Sequence, residues 1–230
     1  MFSRILTSAL FAGAVAGLII ALLQLFFVQP VLLHAELYES GALVHFGADP
    51  VTAHPELPGL FDEPMRNLLS VLFTMLTYTG YALLMVALMS IAEGRGHAIT
   101  ARSGILWGLA GFVTFHLAPG FTLAPEVPGV AAADVGARQI WWFATVASAG
   151  LAMWLIAFGS NIVAYAVAAL LLLAPHVIGA PEPDVFTGPV PTEIGALFAA
   201  RAFGVGLAAW VLLGAFAGYF WQAEGQRAEA

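Results

Sequence analysis

Apolar residues fall along this chain in blocks long enough to cross a bilayer, separated by short segments rich in Pro, Gly and acid. A membrane helix needs about 20 apolar residues to cover about 30 Å of hydrocarbon. The first block runs from about Ile5 to Leu33, interrupted only by Gln24, Gln29 and Pro30. It is longer than the core of a signal peptide and no A-x-A site follows, so a retained helix is expected. The second block runs from about Asn67 to Ile91, the third from about Ser103 to Ala118, and the last from about Ile194 to Trp221. The third is short, and Arg102 beside it can snorkel to the interface.

The block from about Gln139 to Ala174 is ambiguous. Two crossings need about 40 residues, slightly more than it offers, whereas one crossing needs a strongly tilted helix. Gly159-Ser160-Asn161 in its middle is a turn signal. The pattern therefore predicts an all-α integral membrane protein with six transmembrane helices, five being possible. It forms one transmembrane domain over residues 1–230.

Charge sets the expected orientation. With Arg4 inside, Arg95, Arg102 and Arg227 also fall inside; Arg66 and Arg138 fall outside, and Arg201 lies at the outer end of the last helix. This follows the positive-inside rule and puts both termini in the cytoplasm. The same arrangement puts 11 of the 14 acids outside. Five of the six His residues (His34, His45, His54, His116 and His176) lie outside or at outer helix ends, with only His97 inside.

Composition narrows the class. Hydrophobic residues make up 61 % of the chain and charged residues 9 %, against roughly half and a quarter in soluble domains. A soluble enzyme, a disordered segment and a nucleic-acid binder are excluded. The net charge of −7 leaves no basic face for phosphates. With no Cys in the chain, disulfides, zinc thiolates, iron–sulfur clusters and thiol catalysis are excluded as well.

The outer segments resemble one another. Pro30-Val-Leu-Leu-His-Ala-Glu36, Pro119-Gly-Phe-Thr-Leu-Ala-Pro-Glu126 and Pro175-His-Val-Ile-Gly-Ala-Pro-Glu182 each put a Pro at a helix end, then a short apolar run, then Glu. Pro55-Glu-Leu-Pro-Gly59 also matches Pro125-Glu-Val-Pro-Gly129. Asp62 with Arg66, and Asp134 with Arg138, follow these at the same four-residue spacing. Three tandem helical hairpins opening outward are read here, with possible repeats over 1–91, 101–158 and 161–221. Parallel repeats are a known transporter construction; the alternative is convergent Pro-rich turns.

Pro-Glu-x-Pro-Gly cannot be helix interior. The apolar residue between its prolines, Leu57 or Val127, suggests a segment folded back on the helices. Such corners either aim Glu56 and Glu126 into a vestibule or form rigid turns with a solvated Glu. An acid and an Arg four apart share a helical face, so Asp62–Arg66 and Asp134–Arg138 read as interfacial anchor pairs, with the Asp suited to capping.

Imidazole with carboxylate suits borderline divalent metals such as Co, Ni, Zn or Fe. His34 with Glu36, His116 with Glu126, and His176 with Glu182 recur once per hairpin and are the candidate ligands; His54 and Glu56 are weaker ones. Met75, Met85 and Met89 read as core rather than ligands. There is no G-x-x-x-x-G-K-[ST], H-E-x-x-H or G-x-S-x-G motif, so no catalytic residue and no resident cofactor are expected.

Arg4 with Ala12-Gly-Ala-Val-Ala-Gly17, His34-Ala-Glu-Leu-Tyr-Glu39, Leu106-Trp-Gly-Leu-Ala-Gly-Phe112 leading into His116-Leu-Ala-Pro119, Leu123-Ala-Pro-Glu-Val-Pro-Gly129, Ala137-Arg-Gln-Ile-Trp-Trp142 and Pro175-His-Val-Ile-Gly-Ala-Pro181 together resemble the CbtA family of cobalt transporter subunits. The resemblance runs from Arg4 to about Trp221. It implies cobalt uptake across the inner (cytoplasmic) membrane of a prokaryote. It also implies a small one-helix companion with a His-rich terminus, CbtB. It transfers no ligand residues. A scaffold subunit that binds no metal, or a nickel transporter, remains the alternative; an intramembrane lipid enzyme is disfavoured by the few polar residues within the spans.

Overall fold

A computed structural model describes residues 1–45, 59 and 62–229. The described residues form helices α1 (Phe2–Leu23), α2 (Gln29–Glu39), α3 (Pro64–Glu93), α4 (Ala101–Phe112), α5 (Ala118–Thr122), α6 (Val135–Phe158), α7 (Ile162–Ile178) and α8 (Thr192–Glu229), and no strand. Two π-helical turns, Gln24–Val28 and Val113–Leu117, join α1 to α2 and α4 to α5.

Five helical stretches are long and apolar enough to cross a membrane: Phe2–Glu39, Pro64–Glu93, Ala101–Thr122, Val135–Phe158 and Thr192–Arg227. A sixth apolar helix, α7, has 17 residues, about 26 Å at about 1.5 Å per residue, just short of a typical hydrocarbon core. The five-or-six expectation is thus met, and it turns on α7. The turn at 159–161 is real. Gly159 ends α6 with extended backbone, and Asn161 caps α7 by accepting the Ala164 N–H at 2.9 Å. Asn161→Ala removes that acceptor and is expected to cost about 1 kcal/mol, read as a small drop in melting temperature in detergent that Asn161→Asp does not show.

Two prolines differ from expectation. Pro30 and Pro119 do not end their helices; the helical path continues to Glu39 and Thr122. Each follows the start of a π-turn by six residues. Proline has no N–H, and its ring crowds the carbonyl four residues back. A widened turn just ahead of it absorbs that crowding without breaking the helix.

The chain divides into two compact units. The first comprises Met1–Val28, Pro58–Phe112 and Gly204–Ala230. Its helices approach through glycine. A side chain at Gly13 would meet Thr79 Cα, and one at Gly17 would come within 2.7 Å of Met75 Cα. Gly104 faces the Gly214 carbonyl and Gly108 the Trp210 carbonyl, and Gly111 lies under the Trp210 ring. Lipid gives helices little hydrophobic reason to associate, so close backbone approach through small residues supplies the packing. Met85 and Met89 are buried, as core residues. Within this unit the Thr74 hydroxyl donates to Gln24 Oε1 at 2.9 Å, satisfying a polar side chain inside an apolar block.

At one end of this unit Arg4 binds two helices at once. Its Nη1 and Nη2 reach the two Glu93 carboxylate oxygens at 3.0 and 3.3 Å. Its Nε and Nη2 donate to the Trp221 carbonyl at 3.1 and 2.8 Å. The guanidinium lies 3.8 Å from the Trp221 ring centre, and the indole N–H donates to Glu93 at 2.9 Å. The sequence reading used Arg4 only as a topology marker.

The second unit comprises Gln29–Leu57 and Val113–Phe203. Of the segments 34–66, 119–138 and 175–193 that the sequence assigns to the outer face, it contains the last two and the first as far as Leu57; the rest of the first, from Pro58, belongs to the first unit. A small core gathers them: Ala35 from α2, Val127 from the second segment and Val190 from the third, flanked by Tyr38, Val130, Ile194 and Phe198. Pro175 sits inside α7. Its missing N–H leaves the Leu171 carbonyl without its helical donor, and the Ser148 hydroxyl of α6 fills the place at 2.6 Å.

Candidate functional site

The site candidates lie in the second unit, on elements held by that core. Val127 is 5 % exposed, so the Pro-Glu-Val-Pro-Gly corner folds back as its apolar residue suggested. Gly129 closes the corner with φ +83°, where a side chain would also press on Glu39 Cβ at 3.1 Å; only glycine meets both demands. The Ala131 N–H donates to the Thr187 carbonyl at 2.8 Å and ties the corner to the third segment.

With Val127 turned inward, Glu126 meets Arg138. Arg138 Nη2 lies 2.7 Å from Glu126 Oε2, with the two side chains 29 % and 30 % exposed. The expected Asp134–Arg138 anchor pair is therefore corrected: Asp134 caps α6, accepting the Ala137 N–H at 2.9 Å, while Arg138 turns to Glu126. A free helix N-terminus and a fixed corner carboxylate compete better than a partner one turn away. At the other predicted pair, Asp62 accepts the Gly59 N–H at 2.6 Å and Arg66 Nη1 lies 3.6 Å from Glu63.

His176 is held on three sides. Its Nδ1 shares a hydrogen bond of 3.1 Å with the Thr122 hydroxyl. Its ring stands edge-on to Phe121 at 5.2 Å and to Trp141 at 6.3 Å. The Trp141 indole N–H in turn donates to the Pro175 carbonyl at 3.4 Å. These contacts engage Nδ1 and the ring faces and edges, and leave Nε2 as the nitrogen not used in the Thr122 bond. This is how proteins commonly prepare a histidine to act as a ligand.

The other candidates are dispersed. His34 lies on α2, its ring 5.6 Å from that of Tyr38 one turn on; Tyr38 in turn meets His45 edge-on at 6.5 Å. Glu36 is on the same helix, partly buried. His116 sits in the second π-turn, partly buried, and Glu182 is exposed in the loop after α7. His54 and Glu56 fall outside the described residues. Among the described residues, no group of three or more His, Asp or Glu is close enough to hold a metal ion. Sequence reasoning missed Thr122 and the Arg138–Glu126 pairing. Thr122 stands 54 residues from His176 with no local signal, and Glu126 and Arg138 are joined across a turn rather than along a helix.

The geometry is that of a multi-pass helical membrane protein in which Thr122 fixes His176 and Arg138 pairs with Glu126. No curated protein and no solved structure matches the chain. Residues 2–222 match the family model for CbtA, probable cobalt transporter subunit, and the chain belongs to that family of membrane transport subunits.

Proposed function

We propose that this chain is the membrane subunit that takes up a divalent transition metal, cobalt first among them, across the cytoplasmic membrane of a prokaryotic cell. Both termini lie in the cytoplasm, and the second unit faces outward. It acts as a transport subunit rather than an enzyme, beside a small one-helix, His-rich companion of the CbtB kind. The acids of the outer segments collect the cation by raising its local concentration. Ligands act in succession: Glu182 at the surface, His34 with Glu36 on α2, Glu126, and His176, then His116 within the span.

The observation that carries this reading is the ordering of His176 by Thr122, Phe121 and Trp141. A histidine serving only as an interfacial hydrogen bonder needs no second residue to fix its ring. Imidazole and carboxylate are also the ligand types that suit Co²⁺ and its neighbours. The placement of the ligand groups on separate elements fits passage from site to site, where no single site binds tightly enough to trap the ion.

Radiolabelled cobalt uptake, with nickel as competitor, tests it. His176→Ala and His116→Ala are each expected to lower uptake by about tenfold or more at unchanged membrane levels. Thr122→Val, which frees the ring, is expected to lower it by about tenfold. Protons compete with metal for imidazole, so uptake by the parent chain falls as the external pH drops from about 7.5 to about 5.5. Uptake that survives both histidine substitutions overturns this reading in favour of a scaffold that binds no metal.

A further inference from the structure

We propose that Arg138 is a built-in counter-cation for Glu126: it neutralises the carboxylate while no metal is present and is displaced when a divalent cation arrives. This deepens the uptake reading and rests on it.

The carboxylate is the fixed partner. Glu126 stands between Pro125 and the buried Val127, on a corner held by Gly129 and by the bond from Ala131 to Thr187. Its backbone cannot withdraw without unpacking that core. The arginine is the movable one, and its position is poor in two respects. First, Arg138 lies in the opening turn of α6, just after the Asp134 cap. The partial positive charge of a helix N-terminus repels a cation there. Second, its Nε is buried and has no hydrogen-bond partner among the described residues. A guanidinium meeting a carboxylate usually uses two parallel donors; here Nη2 comes 2.7 Å from Oε2, while Nε donates to neither oxygen. The attraction of Glu126 holds the arginine where the helix terminus disfavours it and where one buried donor goes unsatisfied.

Such a pair suits exchange. Without a counter-charge the Glu126 carboxylate would attract a divalent cation more strongly. A tethered cation lowers that affinity and, by returning, helps to expel the ion. Exchange also relieves the strain on the arginine, because its side chain can then swing toward water. A simple structural staple makes the opposite demand, since breaking it from either side should have the same effect.

The test is Co²⁺ binding to the purified full chain, measured by calorimetry with cobalt chloride alone. Arg138→Gln is expected to bind Co²⁺ about tenfold more tightly than the parent. Glu126→Gln is expected to bind more weakly, and the double variant to bind as Glu126→Gln does. Arg138→Lys keeps the charge and should stay within about twofold of the parent. A second measurement needs no variant: phenylglyoxal labelling of Arg138, read by mass spectrometry, should rise when Co²⁺ is added. Arg138→Gln binding that is unchanged or weaker, or labelling that cobalt does not alter, overturns the counter-cation role. If the parent chain still takes up cobalt in that case, the uptake reading stands. Loss of uptake by the parent chain itself overturns both.

Discussion

Gly108→Leu is expected to prevent α4 from docking on α8, and with it the accumulation of folded protein. A Cβ at 108 would run into the Trp210 carbonyl oxygen and lie 3.1 Å from Val211 Cα. Both are backbone atoms, which no rotamer change can move. Gly104 and Gly214 face each other in the same way, and Gly218 meets the Thr100 carbonyl, so the whole contact is built at backbone distance. Overpacking a core typically costs about 1–3 kcal/mol even where side chains can give way. Here the helices must part, and the Trp210 packing against Gly111 and against Tyr81, 4.9 Å between ring centres, goes with them. A melting temperature lowered by many degrees, or loss of the monodisperse peak in detergent, is the expected readout. Gly80→Ala is the control. Nothing lies within 4 Å of a Cβ there, and an alanine in a helix interior favours the helix by about 0.5–1 kcal/mol over glycine. A Gly108→Leu protein that melts with the parent would mean that this contact does not hold the fold.

Arg4→Ala is expected to produce the second largest effect, a loss of about 2 kcal/mol. One guanidinium holds the Glu93 carboxylate and the Trp221 carbonyl and covers the Trp221 ring. The Arg4–Glu93 ion pair taken alone would contribute little, because its side chains are 25 % and 38 % exposed and water screens them. The shared carbonyl and the ring contact raise the total. Trp221 is itself fully buried, so loosening it disturbs the packing around it. Arg4→Lys should recover only a small part of the loss, since an ammonium cannot span two acceptors in a plane while stacking on indole. Gly225 permits the contact: a Cβ there would lie 2.6 Å from Arg4 Nη2. Thermal unfolding of Arg4→Ala, Arg4→Lys and Trp221→Phe in one detergent measures this. Equal melting of Arg4→Lys and the parent would show that charge alone holds the corner.

Much of the architecture could be read from the chain order of apolar and polar residues. The five long spans, the hairpin break at 159–161 with Asn161 as its cap, the inward turn of Val127 and the core role of Met85 and Met89 all follow from local patterns. Proline misled in one respect. At Pro30 and Pro119 a widened turn lets the helix pass, where the bare sequence suggested a stop. The candidate site was legible as a set of residue types but not as partnerships. Arg138 shows why. Its spacing from Asp134 pointed to a pair along one helix face. Asp134 instead serves the open helix end, and a loop folded by Val127 brings Glu126 to Arg138. His176 was singled out by composition, but the threonine that orients it could not be.

By itself, then, the sequence determined that this is a helical membrane protein, which stretches are long and apolar enough to span, and which few polar residues are available for chemistry. Transfer of apolar side chains to lipid is a local property, summed residue by residue, so a one-dimensional pattern suffices to place it. Only the tertiary structure decided which charges pair, which histidine a distant threonine fixes, and where glycine brings helices into backbone contact. Those outcomes depend on atoms distant in the chain meeting within a few ångströms, and competition among several possible partners is settled by packing that no single stretch of sequence contains.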